Sequence, residues 1–178
     1  MIFTETQLQG VYIIDLEPQN DDRGFFGRTW CQQEFTERGL NPQLVQCNIS
    51  YNIKRGTLRG MHYQSHPYQE AKLVRCTSGK IYDVIIDLRP DSTTFKKWLA
   101  FTLTGNSYRS IYIPEGFAHG FQTLEDNTEV FYQMSEFFHP EAARGVCWND
   151  PEFQIEWPIE SLIISEKDKN YPYWNMMK

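Results

Sequence analysis

The chain has 178 residues, 40% of them hydrophobic, which suits one domain with a sizeable core. Seventeen lysines and arginines against 23 aspartates and glutamates give a formal net charge of −6. That balance argues against generic nucleic-acid binding, which needs a basic surface, but not against a small anionic ligand held by a few convergent cations. Aromatic residues make up 15%, a content that serves ligand pockets and interfaces as well as cores. The four cysteines, Cys31, Cys47, Cys76 and Cys147, form no CxxC pair. They are expected to be free thiols in a reducing cytosol. The early apolar run Val11–Ile14 stops at Asp15, with no basic segment before it. Neither a signal peptide nor a membrane span is predicted, and a soluble, cytoplasmic protein is expected.

In chain order, residues 1–19 read as a strand pair about Gln9-Gly10, with Val11–Leu16 as its second strand. Asp21-Asp22-Arg23-Gly24 is turn chemistry. Gln32–Arg38 predicts a helix capped by Gly39. Strands punctuated by Gly, Pro, Asn and Ser then follow at Lys72–Cys76, Lys80–Leu88, Trp98–Leu103, Ser110–Ile113, Phe117–Thr123 and Glu129–Ser135. Within 80–88, Tyr82, Val84, Ile86 and Leu88 form one wholly apolar face against Ile81, Asp83, Ile85 and Asp87. Residues 161–168 predict a turn or short helix. There is no internal repeat, low-complexity tract or linker. Many short strands with few helices predict a mainly β, antiparallel sandwich or barrel.

The stretch Arg55-Gly-Thr-Leu-Arg-Gly-Met-His-Tyr-Gln64 follows the polar run Gln46–Asn52 and packs two glycines, two arginines and a histidine into ten residues. If it is a strand, His62 and Gln64 point into the same space, opposite Met61 and Tyr63. That space is read as a pocket with His62 as its base. Taken singly, each candidate also fits a blander place. His62 and His119 fit satisfied interior residues, Tyr132 core, Lys72 an edge-strand lysine, Asp168 a surface charge and Arg23 a solvated loop arginine.

The outline Gly56…His62-x-Gln64 with Pro114-x-Gly116-x-x-His119 resembles the two motifs of the cupin jelly-roll family. Metal-binding cupins place His-x-His and a glutamate in the first motif. This chain has Gln64 and Gln69 there, and His66 precedes Pro67. Amides bind transition metals poorly, so no metal is expected.

A closer resemblance rests on seven segments in order: Asp22-Arg23-Gly24-x-Phe26, Gly56-x-Leu58-Arg59-Gly60-x-His62-Tyr63-Gln64, Lys72-Leu73-Val74, Asp83-Val84-x-x-Asp87-Leu88-Arg89, Ile113-Pro114-Glu115-Gly116-Phe117-Ala118-His119-Gly120-Phe121, Trp148-x-Asp150-Pro151 and Ser165-Glu166-Lys167-Asp168. Together they identify the chain as similar to the dTDP-4-dehydrorhamnose 3,5-epimerase family. The resemblance implies a cupin jelly roll that epimerises a nucleotide-diphosphate 4-keto-6-deoxy sugar beside its ketone, without a cofactor. It implies His62 as base, Asp168 as the carboxylate that orients it, Tyr132 as acid and Lys72 as the cation facing the enolate oxygen. A neutral imidazole, with a reference pKa of about 6.5, suits a base, and a phenol, at about 10, stays protonated to donate. Arg23, Gln46, Asn48, Arg59, His119 and Lys167 match substrate and diphosphate positions. Arg28, where the family usually has glutamate, and Phe138, where it has the second of two tyrosines, are counted with them; Ala143 replaces another usual glutamate. The family forms dimers with exchanged N-terminal strands, which implies that Arg23 reaches a neighbour's pocket. Rival readings are a single-carbon epimerase or 3,4-ketoisomerase on this scaffold, a non-catalytic sugar-nucleotide-binding cupin, and a metal-dependent dioxygenase.

Overall fold

Alternation of side chains along extended segments divides this chain into faces, and two sheets result. The computed structural model describes residues 1–160 and 163–176. The first sheet contains β1 (Ile2–Glu5), β2 (Tyr12–Asp15), β5 (Gln46–Asn52), β7 (Lys72–Ser78), β10 (Ser110–Ile113) and β12 (Thr128–Met134). Its order is β1-β2-β10-β7-β12-β5. The second contains β6 (Thr57–Gln64), β8 (Lys80–Asp87), β9 (Trp98–Thr104), β11 (Phe117–Thr123) and β13 (Ala143–Gly145), ordered β13-β6-β11-β8-β9. Pairing is antiparallel except for β14 (Ile163–Ile164), which lies parallel to β6. β3 (Gln19–Asp21) and β4 (Gly24–Phe26) form a separate exposed hairpin. The helices are short: α1 (Gln32–Thr36), α2 (Glu166–Lys169) and one 3-10 turn, Trp174–Met176. This is the mainly β, antiparallel sandwich expected from the strand pattern, with the jelly-roll form that the family resemblance implies.

Three apolar clusters bind the layers. Val74, Cys76, Ile111, Ile113 and Val130 from the first sheet meet Ile81, Ile85, Leu103, Phe117 and Phe121 from the second. The outer face of the second sheet, with Met61, Val84, Ile86 and Ala118, is covered by Val146, Phe153, Trp157 and Trp174. The outer face of the first is covered in part by Phe35 and Trp30 around Leu73 and Tyr112. The wholly apolar face of β8 therefore meets the C-terminal segment, and the face bearing two aspartates points into the sandwich. Each aspartate has a partner there, although Asp83 Oδ1 accepts no hydrogen bond from the described residues. Asp83 pairs with His119 at 2.8 Å, and Asp87 accepts from Arg89, Ser92 and Thr94. Burial works against the Asp87 charge, yet these donors hold its carboxyl below the usual range.

Several boundaries differ from the sequence expectation. The second strand is Tyr12–Asp15, because Val11 closes the preceding turn with its amide bonded to Leu8 O. The helix stops at Thr36, and Gly39, at φ +68°, donates to Thr36 O instead of continuing it. The polar run Gln46–Asn52 is a full edge strand whose polar side chains face inward, while Ile49 and Tyr51 face out, 62% and 54% exposed. Of the turn or helix expected over 161–168, positions 161 and 162 lie outside the described residues, and the remainder contains β14 and α2.

Candidate active site

Because β5 and β6 stand at the open side of the sandwich, the inter-sheet space there is lined by polar side chains. The cavity measures about 700 Å³, ample for a sugar nucleotide. Gln46, Asn48 and Ser50 of β5, Tyr132 and Met134 of β12 and Lys72 of β7 form one wall. Arg59, His62 and Gln64 of β6 with His119 and Phe121 of β11 form the other.

The second wall depends on a close approach of two glycines. A Cβ on Gly60, which sits at φ +137°, would fall 2.5 Å from the Gly120 Cα. At this crossing the β6–β11 register slips: His62 lies opposite His119, and Arg59 opposite Phe121. β6 spends three steps where β11 spends two, so one β6 residue is extra. Strict alternation would set Arg59 and His62 on opposite faces; the bulge turns both toward the cavity.

His62 Nε2 lies 2.8 Å from Asp168 Oδ1. The carboxylate can only accept, so the neutral ring carries its hydrogen on Nε2 and keeps the Nδ1 lone pair free. Nδ1 has no hydrogen-bond partner among the described residues. Asp168 is buried on α2, whose N-cap Ser165 accepts from the Asp168 amide. Burial opposes its charge, but bonds from His62 and the Gly60 amide hold its carboxyl below the usual carboxylate range. The edge of Tyr171 packs on the His62 ring, 5.7 Å between centroids. Gly145 makes room for it, since a Cβ there would lie 2.5 Å from the Tyr171 ring.

Tyr132 faces this pair from the opposing sheet. Burial pushes its hydroxyl above the ordinary tyrosine value, only partly opposed by the Arg59 charge, so it remains a proton donor. Lys72 Nζ reaches His62 O at 3.3 Å and Glu70 Oε1 at 3.0 Å. Arg59 spends Nε on Asn52 Oδ1 at 2.7 Å, leaving its Nη groups without a partner among the described residues. Lys167, Phe138, Ala143 and Arg144 line the rim.

Of the residues singled out from sequence, His62, Lys72, Tyr132, Gln46, Asn48, Arg59, His119, Lys167 and Phe138 line this one cavity. Asp168 stands directly behind His62. Arg23 and Arg28 are not brought to it within the chain. Arg23, its side chain 89% exposed, pairs with Asp21 at the tip of the β3–β4 hairpin, and Arg28 with Glu34. Gln64 lines the cavity, but its amide is spent on loop ties. It donates to Tyr68 O and Phe137 O and accepts from the His139 amide. Sequence reasoning missed Glu70, Tyr171 and Arg144. Ser165-x-x-Asp168, an N-cap spacing, would have flagged α2 as the anchor of Asp168; nothing local marks the other three.

The fold and site define a jelly-roll protein whose pocket brings together a histidine on one sheet paired with a carboxylate on α2, a phenol on the other sheet, and cations around them, groups able to exchange protons. Comparison with known proteins makes this specific. The family model for dTDP-4-dehydrorhamnose 3,5-epimerase matches residues 5–176. A dTDP-4-dehydrorhamnose 3,5-epimerase of Methanothermobacter thermautotrophicus is 45% identical over 172 residues, 95% of this chain and 92% of that protein. The crystal structure of a Bacillus anthracis dTDP-4-dehydrorhamnose 3,5-epimerase with TDP and PPi bound is 40% identical, with TM-score 0.92 over 97% of this chain and 98% of that one. A Legionella pneumophila dTDP-6-deoxy-D-glucose-3,5-epimerase in complex with dTDP-4-keto-L-rhamnose is 34% identical, also with TM-score 0.92, over 99% and 94%. The chain belongs to the dTDP-4-dehydrorhamnose 3,5-epimerase family.

Proposed function

We infer that the protein epimerises a thymidine-diphosphate 4-keto-6-deoxy sugar at C3 and at C5, a step of deoxysugar biosynthesis. The observation that carries this is the opposition of His62, backed by Asp168 at 2.8 Å, and Tyr132 across one cavity. Hydrogens on C3 and C5 are acidified by the C4 carbonyl. His62 Nδ1 takes one, and the C–H electron pair moves into the carbonyl to give an enolate. Lys72 supplies the cation for that oxygen. Tyr132 then returns a proton to the other face of the ring, and solvent re-equilibrates imidazolium and phenolate. Arg59 and Lys167, with His119, are the groups placed to hold the diphosphate and sugar. The experiment is turnover of dTDP-4-keto-6-deoxyglucose in D₂O, followed by NMR. Deuterium entering at both C3 and C5 is expected; label at one carbon shows a single-carbon epimerase, and bound nucleotide with no label shows a binding protein.

The acting unit in this proposal is a homodimer. The β3–β4 hairpin is exposed throughout, with Phe26 69% exposed, and the outward face of β5 leaves Ile49 and Tyr51 uncovered. Such apolar surface marks an interaction site. An arm that carries Arg23 away from its own cavity is placed to deliver it, with Arg28, to a neighbour's. A mixture of Arg23→Ala and His62→Ala chains, refolded together, is then expected to regain activity, because one site per heterodimer holds both native residues. Activity no higher than the sum of the separate variants would sink the exchange. A cytoplasmic location fits the four free cysteines and the lack, among the described residues, of a helix long and apolar enough to cross a membrane.

A further inference from the structure

Charge in the cavity lining is lopsided. Arg59, Lys72, Arg144 and Lys167 are cationic, and Glu70 is the only carboxylate among the described residues that line it. An anion there works against a diphosphate ligand, so its retention needs a reason. Glu70 is buried, its side chain 4% exposed, and so is Lys72, at 9%. Glu70 Oε1 forms an ion pair with Lys72 Nζ at 3.0 Å, and the His62 carbonyl accepts a Lys72 N–H at 3.3 Å. An ammonium has three donors, and beyond the His62 carbonyl they have no hydrogen-bond partner among the described residues. Glu70 Oε2 has none either. Among the described residues, the glutamate's one ion pair is thus to Lys72.

We propose that Glu70 is the positioning residue for Lys72: its carboxylate pairs with the ammonium while the His62 carbonyl takes one ammonium hydrogen, and together they hold that charge at the cavity wall. This rests on the reading of Lys72 as the cation for the enolate oxygen. Tethering Lys72 to the backbone of His62 also ties the height of that cation to the base itself. Geometry of this kind acts on the transition state, where the charge on oxygen develops, more than on ground-state binding.

The test compares wild type, Glu70→Gln and Glu70→Asp by steady-state kinetics, by deuterium incorporation from D₂O, and by TDP titration. Glu70→Gln is expected to lower kcat by about 10–100-fold, the range of a mispositioned electrostatic donor. TDP is expected to bind as tightly as to wild type or more tightly, since an anion has left the cavity. Glu70→Asp, which keeps the charge on a shorter arm, is expected to recover part of kcat. An unchanged kcat in Glu70→Gln, or a loss expressed as weaker TDP binding, overturns the proposal. Should Glu70→Gln not fold, Glu70→Asp decides alone, and wild-type kcat in it overturns the proposal. Wild type that incorporates no deuterium refutes the epimerase reading instead, so the two failures are distinguishable.

Discussion

Replacing His62 by alanine is expected to stop deuterium exchange at both C3 and C5, with kcat falling by about 10²–10⁴-fold, the usual worth of a positioned general base. One nitrogen of the ring is committed to Asp168, and the other is the free lone pair of the pair. No other residue lining the cavity repeats that arrangement with an open nitrogen on the described geometry except His119. His119 sits opposite His62 in register and has its own carboxylate, Asp83, but it is buried at 9% exposure, against 40% for the His62 side chain. Asp168 stays ionised across the neutral range. Its folded-state value is lowered, so its contribution is present above the unfolded value of about 3.9 and is lost only as pH falls through the lowered one. Thermal melting of His62→Ala should match wild type within about 1 kcal/mol, because the ring is only half-buried. Exchange at the wild-type rate at both carbons would remove His62 from the role of base.

Tyr132→Phe is expected to separate exchange from inversion. His62 can still remove the proton, and with no donor on the opposite wall it hands the proton back to the face it left. Deuterium then enters the substrate with retained configuration, while epimerised product falls by about 10²–10⁴-fold. The change deletes one hydroxyl and keeps a ring that packs against the inter-sheet core, so the fold is expected to persist. NMR of the sugar ring in D₂O reads label and configuration together. Product formed at the wild-type rate would assign the acid elsewhere; loss of label as well as product would place Tyr132 on the deprotonation step.

The strand pattern was legible because Gly, Pro and Asn punctuate it; Ser110–Ile113 and Phe117–Thr123 match the structure residue for residue. Gln46–Asn52 was harder. Its residues read only as a polar run, since composition alone cannot tell a solvated segment from a strand that faces a wet cavity. Strand alternation places His62 and Gln64 in one pocket, but the other pocket residues are reached through segment resemblance, not through local chemistry: Asp168 between two lysines carries no mark of burial. Glu70 and Tyr171 went unread because neither carries a local mark of burial, and the partner of Tyr171, His62, lies far along the chain.

By itself the sequence determined the β architecture and the family, because periodicity and ordered motifs are properties of the chain read in one dimension. Tertiary structure decided which groups meet. The Gly60–Gly120 contact shifts β6 by one residue against β11 and so turns Arg59 and His62 to the same side. Sheet stacking sets Tyr132 opposite His62, and α2 carries Asp168 back across 106 residues to its partner. Distance between side chains depends on register and layer packing, and neither is written in local spacing.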